Sequence, residues 1–389
     1  MLPLDRFIPA IRAAIPRFQP DPTRGATPNA EQETCILHAP SVPLQIVAGP
    51  GSGKTTVLVL RALRHVLVDG FLPEQVLLTT FTEKAAAEIR TRLIEWGRQL
   101  IAYLRPQATG ELIAHLDRID VNRFLTGTLD SICEGALRDA RSATDPAPAL
   151  LEGFAADAIL FRRGLSSIAY KDGKLDPTIT AFLRKFNFEQ EEIHNAGQLM
   201  KIVRPLFDRF SHDRIDLRMF RSGPNAAARD ALATAYEQYS QELASTNRLD
   251  FAKLEATFFE RLQGGRLNRL TDRIRAILVD EYQDTNLLQE DIYFELHRRA
   301  AGSTFTVVGD DDQSLYRFRG ATVELFRDFA GRLHAAIPGE LPVRHDLVSN
   351  YRSTPEIVSY FNDFITTILT SPPPESPRPS QKSERSVLR

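Results

Sequence analysis

Residues Ala48-Gly49-Pro50-Gly51-Ser52-Gly53-Lys54-Thr55 stand between the apolar run Leu44-Gln45-Ile46-Val47 and a helix-compatible stretch from Val57 to Val68. That order constrains the fold more than any other feature of the chain. A glycine-rich turn delivered by a buried strand and leading into a helix belongs to parallel α/β architecture, where backbone N–H groups of the turn and the helix N-terminus converge on an anion. In such a loop Lys54 supplies a cation for the β- and γ-phosphates of ATP and Thr55 a hydroxyl for Mg²⁺, so the segment through Thr56 reads as a nucleotide triphosphate site. The general pattern begins with Gly, and here that position is Ala48. The competing reading, a glycine-rich turn that happens to precede a lysine, leaves the ordered strand and helix on either side unexplained.

At 389 residues the chain is long enough for two or three domains, and 43% hydrophobic with 25% charged residues is the balance of a globular protein. No uninterrupted apolar run approaches membrane-spanning length. The start, Met1 to Ala14, carries Asp5 and no cationic segment ahead of its apolar residues, which argues against a secretory signal. Two cysteines, Cys35 and Cys133, make neither a disulfide framework nor a metal cluster and fit a reducing cytoplasm. A net charge of −2 excludes a global basic footprint, so any nucleic-acid contact must be a local groove.

Along the chain, Gln75 to Thr80 reads as a second buried strand, followed by a strong helix former, Thr82 to Arg90, with Thr82 as N-cap. Phe124 to Thr128 reads as a third strand. From Cys133 to Asn247 helical periodicity dominates, and two further strands then appear, Ala276 to Val279 and Thr304 to Val308, each ending in acidic residues. The pattern predicts an α/β fold: a parallel-sheet nucleotide-binding domain in two parts, 1–132 and 248–335, with a mostly helical insertion at 133–247. Residues 371–389, rich in Pro, Ser and charge, read as a disordered tail.

Asp280-Glu281-Tyr282-Gln283-Asp284 follows one of those strands, so its first two carboxylates lie at the carboxyl edge of the sheet beside the phosphate loop. Asp280 is expected to hold Mg²⁺, and Glu281 to orient and deprotonate the attacking water. Alone, an Asp-Glu pair after a strand is ordinary surface chemistry. Together with a phosphate loop in the same sheet, it points to hydrolysis.

Six segments in order resemble the motifs of superfamily 1 DNA helicases of the UvrD/Rep type: Gln32, the phosphate loop, Thr80 to Glu88, Gly127 to Ser131, Asp280 to Asp284, and Val308 to Ala321. A seventh, Asn350-Tyr351-Arg352-Ser353, resembles the first motif of that family's second motor domain, and Leu249-Asp250-Phe251 resembles its re-entry signature. The resemblance implies that Gln32 reads the adenine edge and Tyr351 stacks on the base, that Gln313 senses the γ-phosphate, and that Arg352 reaches it from the second motor domain. Taken singly, Gln32 reads equally as a solvated helix residue, Tyr351 as a core aromatic and Arg352 as a surface charge. For single-stranded DNA the resemblance implies Phe81, Thr128, Tyr316, Phe318 and Arg319, since aromatic faces stack on bases while Arg and hydroxyls hold phosphates. Glu83 stands where the family has Asn and Asp130 where it has His, which adds negative charge beside the expected strand path.

No segment after the helix expected over Pro355 to Thr370 resembles the family's remaining second-domain motifs. The resemblance implies one complete RecA-like motor domain and thus the amino-terminal half of an ATP-dependent DNA helicase acting in repair or recombination, its 3′-to-5′ polarity inferred only from the family. Residues 336–370 would begin an incomplete second motor domain, completed by a partner or a downstream segment. The alternative is a nucleotide- and DNA-binding module without unwinding activity of its own.

Overall fold

The computed structural model describes residues 1–19, 27–141, 148–171, 174–186, 193–311 and 323–370. Six strands form one sheet: β1 (Leu44–Ala48), β2 (Val76–Thr79), β3 (Leu125–Gly127), β4 (Ala276–Val279), β5 (Thr304–Gly309) and β6 (Val343–Leu347). Their order is β6-β1-β5-β4-β2-β3, and every neighbouring pair is parallel.

Helices cover both faces, which is why β2 and β4 read as apolar runs without polar alternation. Because successive side chains point to opposite faces, Leu78, Leu278 and Val308 join a core with the helices Lys54–Leu67 and Glu83–Leu104, while Leu77, Ile277 and Val307 join a second core on the other side. That second core is closed by the helices Leu129–Asp139, Phe251–Gln263 and Leu287–Arg299. Two polar side chains inside the strands pair across the core: Gln45 Nε2 donates to the Phe326 carbonyl at 2.6 Å, and Thr306 Oγ1 accepts from the fully buried Arg61 at 2.9 Å.

Two expected boundaries fall within packed elements. The insertion was to start at 133, but Cys133 and Leu137 lie in the second motor core with Phe258 and Phe305, so the cut falls inside a motor helix. The insertion's own core runs from Leu160 to Leu243. A short parallel pair, Ala149–Leu150 with Arg248–Leu249, closes its neck. The second motor domain was to start at 336, yet β6 pairs with β1 along its whole length, Leu44 to Ala48 against Val343 to Leu347. β1 has two hydrogen-bonding edges; β5 fills one and β6 the other. The charged sequence Val343-Arg344-His345-Asp346-Leu347 is that of an exposed edge strand, which a search for apolar runs passes over.

The helix Pro355–Thr370 is observed where the sequence places it, and it leaves Ile357, Tyr360, Phe361 and Phe364 exposed. The tail expected over 371–389 lies outside the described residues. Among the described residues no helix is long and apolar enough to cross a membrane.

Candidate nucleotide site and nucleic-acid interface

In a parallel sheet all carboxyl ends open onto one edge, so β1, β4 and β5 deliver their loops side by side. Ala48 is the last residue of β1 and fully buried, a strand position that accepts a Cβ. Gly51 and Gly53 have φ of +74° and +88°, a region that side chains resist. Ser52 Oγ closes the turn on the Gly49 carbonyl at 2.7 Å, Pro50 lies inside that turn, and Lys54 and Thr55 open the helix with Thr56 buried behind them.

The acidic pair arrives from β4. Thr55 Oγ1 donates to Asp280 Oδ2 at 3.2 Å, and Lys54 Nζ reaches Glu281 Oε2 at 3.2 Å and Asp310 Oδ2 at 4.0 Å. Glu281 has left-handed backbone (φ +53°) and its N–H donates to Asp280 Oδ1 at 3.1 Å. Burial, and then the neighbouring Glu281 charge, push the Asp280 carboxyl up to about 7 against the pull of Lys54. Burial and Glu281 likewise raise Asp284 to about 7. The Thr55 hydroxyl beside the Asp280 carboxylate is a hard-oxygen pair that fits Mg²⁺.

The segment Asn350 to Ser353 folds against the loop. Tyr351 N–H donates to the Gly51 carbonyl at 2.9 Å, while Asn350 Oδ1 accepts from the N–H groups of Arg352 and Ser353 at 2.8 and 2.9 Å. Gln32, Gly51, Lys54, Glu281, Tyr351 and Arg352 thereby line one cavity of about 700 Å³. Gln32 is 4% exposed and is part of a capping box with Asn29. Its Nε2 donates to the Ser52 carbonyl at 2.8 Å and so pins the helix to the loop. Arg17, Phe18 and Arg92 also line this cavity, grouped around Trp96, and sequence reasoning missed them. No motif flags them; only the packing of the Glu83–Leu104 helix brings them there.

A second cavity, of about 1080 Å³, lies between motor and insertion and is lined by Phe81, Thr128, Asp130, Glu255 and Asp280 among others. Phe81 is partly exposed at its rim. Thr128 is 8% exposed; its hydroxyl caps the following helix and donates to Glu83 Oε1 at 2.7 Å, so it is already engaged within the chain. Glu281 lines both cavities. Gln313, Tyr316, Phe318 and Arg319 fall outside the described residues.

A family model described as the UvrD/REP helicase N-terminal domain matches residues 28–334. The chain belongs to this UvrD/REP helicase family. Among curated relatives, the ATP-dependent DNA helicase SRS2 of Saccharomyces cerevisiae is 29% identical over 350 residues, covering 87% of this chain and 27% of that protein. The ATP-dependent DNA helicase UvrD1 of Mycobacterium leprae is 31% identical over 87% of this chain and 39% of its own length. For the ATP-dependent DNA helicase Rep of Buchnera aphidicola the figures are 27%, 88% and 43%. The chain thus spans less than half the length of these relatives.

Within the UvrD/REP helicase family assignment, Asp250 has a structural explanation. It is 3% exposed, caps the helix Phe251–Gln263 through Lys253 N–H at 2.8 Å, and accepts from Arg204 at 3.1 Å and Tyr239 at 2.7 Å. One carboxylate therefore ties the insertion to the motor. Cys35 and Cys133 are buried free thiols whose pKa values burial raises.

Proposed function

We propose that the chain is the ATP-hydrolysing part of an ATP-dependent DNA translocase that moves on single-stranded DNA, with 3′-to-5′ polarity implied by the family resemblance. The observation that carries the reading is the pairing of Lys54 with Glu281 and of Thr55 with Asp280, residues 227 and 225 positions apart that converge at the phosphate loop. The glycine turn cradles the phosphates and Lys54 neutralises them, exchanging its Glu281 partner for phosphate oxygens. Thr55 and Asp280 would hold Mg²⁺, which would supply positive charge to offset that of the phosphates. Glu281, released from Lys54, accepts the proton of the attacking water. Gln32 and Tyr351 hold the base, and Arg352 approaches the γ-phosphate from the loop that leads into Pro355–Thr370.

Glu281 as a shared wall of both cavities supports coupling of hydrolysis to DNA at Phe81, with Gln313, Tyr316, Phe318 and Arg319 assigned to the same task by resemblance. The exposed apolar face of Pro355–Thr370 is the surface on which the rest of a second motor domain, from a partner or a further segment, would pack. A role in repair within the cytoplasm completes the reading, in keeping with the free thiols.

The test is phosphate release with and without single-stranded DNA. Release that DNA stimulates and that Lys54→Ala abolishes is the expected result. Nucleotide binding and phosphate release unaffected by Lys54→Ala would remove the site.

A further inference from the structure

Gln283 is 2% exposed, and both ends of its amide are committed. Nε2 donates to Glu281 Oε2 at 2.8 Å, while Oε1 accepts from the Asp310 N–H at 3.0 Å. The second contact needs Gly309, because a Cβ there would lie 2.7 Å from Oε1. The amide therefore fastens Glu281 to the end of β5, the strand that leads into the segment carrying Gln313.

Lys54 and Gln283 converge on the same carboxylate oxygen, Oε2. Lys54 is withdrawn when phosphate arrives; Gln283 is not, since its other end is held by the backbone. Glu281 is also half-exposed on a left-handed backbone, so little else fixes its rotamer. We propose that Gln283 is the positioning residue for the base: it holds Oε2 so that Oε1 faces the attacking water, and it transmits movement of β5's end to Glu281. This rests on Glu281 acting as the base in the proposed hydrolysis. A carboxylate free to rotate loses near-attack alignment, which costs on the order of 10²-fold in rate.

Two substitutions in the full chain separate the roles of the amide. Gln283→Met removes donor and acceptor; Gln283→Glu keeps an acceptor for the Asp310 N–H and replaces the donor by a charge that repels Glu281. Single-turnover hydrolysis of Mg·ATP is measured beside the affinity for a non-hydrolysable analogue and the melting temperature. Expected is a loss of about 10²-fold in rate for both variants, with analogue affinity within about twofold of wild type. A wild-type rate in Gln283→Glu would show that holding Asp310 is all the amide does, and a wild-type rate in Gln283→Met would remove it from the mechanism; either overturns the proposal. Glu281→Gln run alongside keeps the two readings apart: if it hydrolyses at the wild-type rate the base assignment itself fails, whereas a dead Glu281→Gln with an active Gln283→Glu sinks only the positioning role.

Discussion

Gly51 lies directly against Arg352: a Cβ added to Gly51 would come within 2.6 Å of the Arg352 Cβ and 2.6 Å of Asn350 Oδ1. The phosphate loop and the segment that closes over it are thus fitted to each other at the one residue type without a side chain. Gly51→Ala would meet both this clash and a φ of +74°, the latter alone costing ~1–2 kcal/mol. We expect about a tenfold loss of affinity for a non-hydrolysable Mg·ATP analogue and faster tryptic cleavage after Arg352. Unchanged affinity and unchanged cleavage would show that the 350–353 segment takes no part in the nucleotide site.

The proposed engagement of Lys54 and Asp280 with the phosphates and Mg²⁺ predicts a split among three variants. Lys54→Ala and Asp280→Ala should each weaken the Mg·ATP analogue, whereas Glu281→Gln should leave binding intact and lower hydrolysis by about 10²- to 10⁴-fold. Calorimetric titration and phosphate release measure the two effects. Hydrolysis by Glu281→Gln at the wild-type rate would require another base.

The Asp280 carboxyl, raised from 3.8 to about 7 by burial and by Glu281, holds a proton in the folded, metal-free chain that the unfolded chain releases near the ordinary value. Its contribution to folding stability therefore falls as pH rises from about 4 to about 7. Mg²⁺ at the proposed site would compete with that proton, so affinity for the Mg·ATP analogue should fall as pH drops from 8 to 6, by about tenfold per unit below the carboxyl's pKa. Calorimetry across this range checks the sign; a flat profile that persists in Asp280→Asn would remove Asp280 from the metal site.

Glu83 accepts the Thr128 hydroxyl and places a carboxylate at the rim of the inter-domain cavity. Glu83→Gln keeps an acceptor and removes the charge. Single-stranded DNA affinity should rise several-fold at low salt, with the gain shrinking as salt is added. Fluorescence anisotropy over a salt series reads this directly, and wild-type affinity at every salt concentration would put the strand path elsewhere.

Asp250 holds a helix cap and two insertion side chains in a buried site, so Asp250→Ala strands the Arg204 guanidinium. We expect a loss of ~3–5 kcal/mol, seen as a lower urea midpoint. A shift below ~1 kcal/mol would mean that Arg204 finds sufficient compensation in Asp208, with which it also pairs at 3.2 Å.

Sequence alone determined the chemistry-bearing loop and the class of fold. A phosphate loop is legible because its function rests on local backbone geometry, written in consecutive residues: Gly51 and Gly53 for positive φ, Lys54 and Thr55 for charge and hydroxyl. The strand Ala276–Val279 was legible for a related reason, since burial on both faces favours an unbroken apolar run. Tertiary structure decided what depends on partners distant in the chain. β6 is polar because one of its edges is exposed, and only the open edge of β1 makes it a strand of this sheet. Cys133 sits in a helix whose pattern fits either domain, and only the packing of Leu129–Asp139 against Phe251–Gln263 assigns it to the motor. Gln283 shows the same division within the site: the motif places it two residues after Glu281, but its amide acquires a role from the approach of Gly309 and Asp310, which no periodicity records.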